Sequence, residues 1–176
     1  MKNLKSLLAL MFTVVLFAGA VVAQQHSLND VHPDDKFISS EDGFEIALPA
    51  GWVKQERLAT GRRYTWQVTE GAVSVTIRQF AAANIIKSDD DIVAFLHGYS
   101  EALKSDPGVH FISTTRVKIG EYKGEAYEIS VDGQPSLFVV LAWGKFNLVL
   151  NGTANAKIAG SDKLIFAAVH TFEFNH

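Results

Sequence analysis

Phe44, Ile46 and Leu48 alternate with small or charged neighbours until Pro49 and Gly51 stop the pattern at Trp52. Period two over a short run bounded by turn residues predicts a half-buried strand. Proline has no amide to give a sheet ladder, so this strand should end in a fixed corner with Trp52 behind it. Residues 53–61 are polar, lack a period and are expected to be irregular. Tyr64, Trp66 and Val68 then alternate, Thr69-Glu70-Gly71 supplies a turn, and Val73, Val75 and Ile77 resume the alternation. That is a hairpin with one apolar face on each strand.

The period changes at Ser88. Ile92, Phe95, Leu96, Tyr99 and Leu103 form a helical stripe, and Pro107-Gly108 closes it, which predicts a helix over 88–105. A meander follows. Strands are expected from Phe111 to Ile119, Ala126 to Val131, Leu137 to Trp143 and again through Phe146, Leu148 and Leu150, with glycine-bearing turns between them. The third of these, Leu-Phe-Val-Val-Leu-Ala-Trp, is continuously apolar, so both of its faces should be buried. An antiparallel strand buried twice needs cover on both sides of the sheet, and the chain offers two helices for it, 88–105 and a second near 156–170. The expected architecture is an α+β fold: an α/β/α sandwich whose central antiparallel sheet has six to seven strands, with one helix on each face. Thr171-Phe172-Glu173-Phe174 alternates once more and should add a short terminal stretch.

The first 23 residues stand apart from this scheme. Lys2 and Lys5 precede Leu7–Ala23, which carries no charge, and Val21 and Ala23 place small residues where a signal peptidase reads them. A signal peptide cleaved before Gln24 is the expectation; an uncleaved anchor helix is the alternative. Residues 24–40 have little apolar content and read as a flexible lead-in, and 41–176 as a single domain. The leader carries two of the 16 Lys and Arg and none of the 19 Asp and Glu, leaving 24–176 with a net charge of −5. Such a balance argues against a nucleic-acid binder. The absence of cysteine removes disulfides, thiolate metal sites and thiol nucleophiles together. Export without disulfides fits a bacterial periplasmic or extracellular protein, with no membrane span left after cleavage.

Candidate chemistry is sparse. Cleavage before Gln24 would create the terminus Gln24-Gln25-His26, whose amine, two amides and imidazole suit Cu(II) or Ni(II), so His26 is the candidate metal ligand, with His32, Asp34 and Asp35 nearby at no spacing that fixes a geometry. Ser88-Asp89-Asp90-Asp91 resembles an acid cluster but reads as a helix cap, the serine as N-cap and the carboxylates at the positive end of the dipole. Arg62 and Arg63 at the hairpin entry are candidates for holding an anion. Trp52, Tyr64 and Trp66 complete a candidate partner or ligand surface, against the plainer expectation that each packs in the core. The chain has no nucleophile elbow, zincin motif, phosphate loop or dinucleotide fingerprint. His110, Ser113 and Asp106 are near one another in sequence without forming an evident triad, and an uncharacterised hydrolase is the lesser alternative. No catalytic residue or cofactor is expected.

The Pro49-x-Gly51-Trp52 corner, the hairpin, the long helix, the meander and a last helix closing on Thr171-Phe172-Glu173-Phe174 together resemble the PsbP-like α/β/α sandwich over residues 40–174. The resemblance implies a binding or assembly module without a catalytic constellation. The expectation is therefore an exported, non-catalytic module taking a protein partner or small ligand through its sheet and helix surface. Metal binding through Gln24-Gln25-His26 is the alternative.

Overall fold

The computed structural model describes residues 36–48 and 52–175. The elements are β1 (Lys36–Ser39), β2 (Phe44–Ala47), β3 (Trp52–Leu58), β4 (Gly61–Val68), β5 (Gly71–Gln79), a 3₁₀ turn (Ala82–Asn84), α1 (Asp89–Lys104), β6 (Val109–Ile119), β7 (Tyr122–Val131), β8 (Gln134–Trp143), β9 (Phe146–Ala154), α2 (Ser161–His170) and β10 (Glu173–Phe174). The main sheet has seven strands in the order β3-β4-β5-β9-β8-β7-β6, and a second sheet has the order β1-β2-β10. Every strand pair is antiparallel.

Three elements differ from the sequence expectation. Residues 36–39, read as part of a flexible lead-in, form β1 because β2 offers them a ladder from Lys36↔Ala47 to Ser39↔Phe44. Residues 52–58, largely read as irregular, form β3 on the edge of the main sheet, paired from Trp52↔Gln67 to Leu58↔Gly61. An edge strand with one solvated side tolerates a polar sequence, which hides it from a search for alternation. The second helix begins only at Ser161. The leader, residues 24–35 and the Pro49–Gly51 corner lie outside the described residues.

Strand β8 divides the core. Leu137, Val139 and Leu141 belong to one cluster with Ile165, Ala168 and Val169 of α2. Val140 and Ala142 belong to another with Ile92, Leu96 and Leu103 of α1. Successive side chains leave a strand on opposite faces, so burial of Leu137 and of Val139–Ala142 follows from apolar partners on both sides, whereas Phe138 is half-buried and Trp143, expected to be buried, is 40 % exposed at the strand's end. The α2 cluster also takes Phe44 and Ile46 of β2, Tyr64 and Trp66 of β4, and Phe172. The small sheet thus shares one side of the core with α2, a layer the sequence reading had not separated out. Gly152 of β9 sets how closely α2 approaches: a Cβ there would lie 2.8 Å from Cγ2 of both Ile165 and Val169.

Helix α1 packs on β6, β7 and β8. Beyond it, on the side of Thr76 and its partner Val149, the sheet carries a polar row, Thr65–Ser74–Asn151 across β4, β5 and β9. These residues border an open hollow of about 500 Å³. Antiparallel sheets often leave part of one face to water, and the polar residues sit where the helix does not reach.

Candidate functional site

The clearest surface feature is a groove of about 710 Å³ between α1 and the outer end of the sheet, where β6 is the last strand. Its helical wall begins with a strong cap. The Ser88 hydroxyl accepts a hydrogen bond from the Asp91 amide, and the Asp91 carboxylate accepts one from the Ser88 amide. The Lys87 amide also donates to that carboxylate at 2.9 Å. Led by this backbone bond, the contacts hold the Asp91 carboxyl below the usual carboxylate range. The run therefore caps the helix, as its sequence suggested, and Ser88 with Asp91 makes the cap a capping box.

Two further contacts position α1 against β7. Lys123 Nζ lies 2.7 Å from both carboxylate oxygens of Asp89. Tyr127, fully buried, donates its hydroxyl hydrogen to Glu125 at 2.7 Å and lies 3.3 Å from the Leu96 carbonyl. Burial first, then the Glu125 hydrogen bond, pushes the Tyr127 phenol up, keeping it neutral. At the far end Lys104 pairs with Glu101 at 3.0 Å and sits 5.8 Å above the Phe111 ring.

Ile92, Val93 and Leu96 supply apolar lining, while the Val117 side chain packs on the other face of the sheet against the α2 cluster. Val93 stands 62 % exposed, an apolar side chain held open to solvent on the helix that forms the wall. The opposite wall is basic. Four lining residues, Lys104, Arg116, Lys118 and Lys123, are cationic and two, Asp89 and Glu125, are anionic. Lys104 and Lys123 are committed to Glu101 and Asp89. Arg116 faces Glu125 across the ladder, yet that carboxylate is engaged by Tyr127. Among the described residues, neither Arg116 nor Lys118 has an ion-pair partner within 4 Å. The groove is net cationic in a chain whose formal charge is −3.

The sequence's own candidate surface is distributed otherwise. Tyr64 and Trp66 are 2 % and 3 % exposed and belong to the core, which removes them from any partner surface. The Tyr64 hydroxyl donates to Asp42 at 2.6 Å, and burial followed by this bond raises its pKa. Arg62 and Arg63 do not act together, because neighbours in a strand point to opposite faces. Arg62 pairs with Glu41 and, at 2.9 Å, with Asp42, whereas Arg63 Nε donates to Thr76. Trp52 lies in β3, and its side chain is outside the described residues.

Among the described residues no group of three or more His, Asp or Glu is arranged to hold a metal ion, and His26 lies outside them. Of His110, Ser113 and Asp106, which lie near one another in sequence without forming an evident triad, two bond elsewhere. Ser113 donates to Glu128 at 3.2 Å, and Asp106 accepts from the Gly108 amide. The groove was missed because its two walls, residues 89–104 and 109–125, each read as ordinary secondary structure. The one available signal was the run from Ile112 to Lys118, in which polar and basic residues outnumber apolar ones in an otherwise apolar meander.

No protein-family model and no curated protein matches the chain. Its structure is similar to the solution structure of cyanobacterial PsbP (CyanoP) from Synechocystis sp. PCC 6803, with a TM-score of 0.52 and 14 % sequence identity. The match covers 80 % of this chain and 91 % of that one. At that identity the likeness speaks for the backbone arrangement alone. The chain has a PsbP-like fold.

Proposed function

We propose that the protein is an exported, non-catalytic binding or assembly module of the bacterial envelope, an α/β/α sandwich with a helix on each sheet face, and that it engages a protein partner through the groove between α1 and β6. The observation that carries this reading is the groove itself. Its helix is pinned to β7 at the N-terminal end by Asp89–Lys123 and along its length by Tyr127, so the groove's geometry is set without a ligand. Apolar side chains stand open inside it and two cations on its rim are unpaired among the described residues. Preformed, partly apolar concavities with a few polar groups are the usual form of binding sites. Export rests on the leader, and the non-catalytic reading on the PsbP-like fold and on the missing catalytic motifs.

Val93→Glu is the discriminating change, since a side chain 62 % exposed can be replaced without disturbing the core. Purified from the envelope fraction of its native cell, the wild-type protein should retain a partner in stoichiometric amount that the variant loses. Identical co-purifying material from both proteins removes the groove from consideration. Recovery of the protein in the cytosol with its leader intact removes the export part.

A further inference from the structure

The groove lies against a strand whose outer edge pairs with no strand among the described residues. Strand β6 is the terminal strand of the seven-stranded order and runs for 11 residues, Val109–Ile119. Its inner edge pairs with β7 throughout, with a register shift between Phe111 and Ser113. No described strand pairs with its outer edge. From Ile112 to Arg116 five consecutive residues are exposed, so both faces of the strand, as well as its edge, meet solvent. Such an edge is a template for another strand, and natural proteins shorten, cover, bulge or charge it; β6 carries a bulge near its start and two cations near its end. Here it is long and borders a helix-walled groove.

Its charge narrows the occupant. Strand β6 contains His110, Arg116 and Lys118 and no acidic residue. A second copy pairing its own β6 across a two-fold axis would bring two strands of net positive charge side by side with no carboxylate on either, which disfavours that occupant. Thr114, Arg116 and Lys118 all line the groove, opposite Tyr127, Glu125 and Lys123 of β7. A side chain projecting from an added strand toward α1 would meet Arg116 and Lys118 together with the apolar Val93 and Leu96.

We infer that the groove receives an extended, acidic peptide segment of a partner protein, which adds to β6 as an eighth strand, with carboxylates toward Arg116 and Lys118 and apolar side chains toward α1. The inference rests on the groove being the binding surface and specifies what enters it. Backbone hydrogen bonds to the open edge would supply affinity that is indifferent to sequence, and the groove would select every second side chain. Seven residues, enough to lie along Ile112–Lys118, span about 24 Å in extended form.

The test uses the purified protein, isotopically labelled for amide-resolved NMR, and three nine-residue peptides. One has glutamate and valine taking turns at every second position with threonine between them, one carries lysine in place of each glutamate, and one is the acidic peptide N-methylated at the alternate residues whose amides would face β6. The acidic peptide should slow amide exchange along Ile112–Lys118, shift Val93 and Leu96, and bind about tenfold more weakly in 0.5 M salt than at low salt. The lysine and N-methylated peptides should bind at least about tenfold more weakly than the acidic one. Arg116→Glu combined with Lys118→Glu should reverse the preference between acidic and lysine peptides while leaving the spectrum of the core unchanged.

Equal binding of acidic and lysine peptides overturns the charge assignment, and equal binding of the N-methylated peptide overturns strand addition. Shifts at Val93 and Leu96 without protection along β6 defeat the added strand and leave the groove as a binding surface. Absence of any response on α1 or β6 sinks both. Concentration-dependent protection of β6 without peptide assigns the edge to a second copy.

Discussion

Gly152→Ala tests how α2 is seated on the sheet. The added methyl would lie 2.8 Å from Cγ2 of Ile165 and Cγ2 of Val169, where ordinary contacts between carbons begin near 3.5–4.0 Å. Neither methyl can swing aside easily, because β-branched side chains in a helix hold one χ1 rotamer. Both residues are almost fully buried, so α2 or β9 must move. Removing glycine from a strand by itself favours the folded state by about 0.5–1 kcal/mol through lost unfolded-state entropy. Overpacking a core costs about 1–3 kcal/mol. The net expectation is a loss of about 1–2 kcal/mol, which at this chain length lowers the thermal midpoint by roughly 2–8 °C. Urea unfolding followed by tryptophan fluorescence would report it as a lower midpoint at unchanged slope. Val169→Ala alone should also destabilise, by cavity formation, yet the double variant should be less impaired than the two losses added together, because removing Cγ2 makes room for the new methyl. A Gly152→Ala protein as stable as wild type, or strict additivity in the pair, would refute the close seating of α2.

Three other outcomes follow from specific contacts. Trp66 Nε1 is buried without a hydrogen-bond partner among the described residues; Trp66→Phe removes that donor, whose isolation costs about 1–3 kcal/mol, and should change stability by no more than about 1 kcal/mol, whereas Trp66→Ala should lose about 3–5 kcal/mol. The Asp91 carboxyl is held below its ordinary value in the folded chain, so its contribution is present above the unfolded-state value of about 4 and fades as pH falls through the lower folded value; Asp91→Asn should flatten the loss of helix signal in that acid window, and an unchanged acid profile would count against the capping box. Copper titration of the protein beginning at Gln24 decides the metal alternative: tight uptake abolished by His26→Ala would support it, and equal uptake by both proteins would end it.

Local signals made most of the architecture legible in the sequence. Alternation at Tyr64–Val68 and Val73–Ile77 located the hairpin, because a strand with one wet face must repeat every two residues. Ser88 and Asp91 located the start of α1, because a helix leaves four amides unpaired and a cap must answer them. The run Leu137–Trp143 announced a strand with apolar neighbours on both sides. What the sequence left dark were elements stabilised from elsewhere: β1 exists through its ladder with β2, and β3 through its ladder with β4.

The candidate site belongs wholly to the second class. The sequence by itself determined that Val93 and Leu96 lie on a helix and that Arg116 and Lys118 lie on a strand. Their meeting across one groove was decided by the strand order, which puts β6 at the rim and α1 against it. The same tertiary arrangement dissolved the expected surface, burying Tyr64 and Trp66 and sending Arg62 and Arg63 to opposite faces of β4. The physical reason is one of range. Periodicity and capping are properties of neighbours within a turn or two of chain, whereas a groove is a relation between elements, fixed only when the sheet order is.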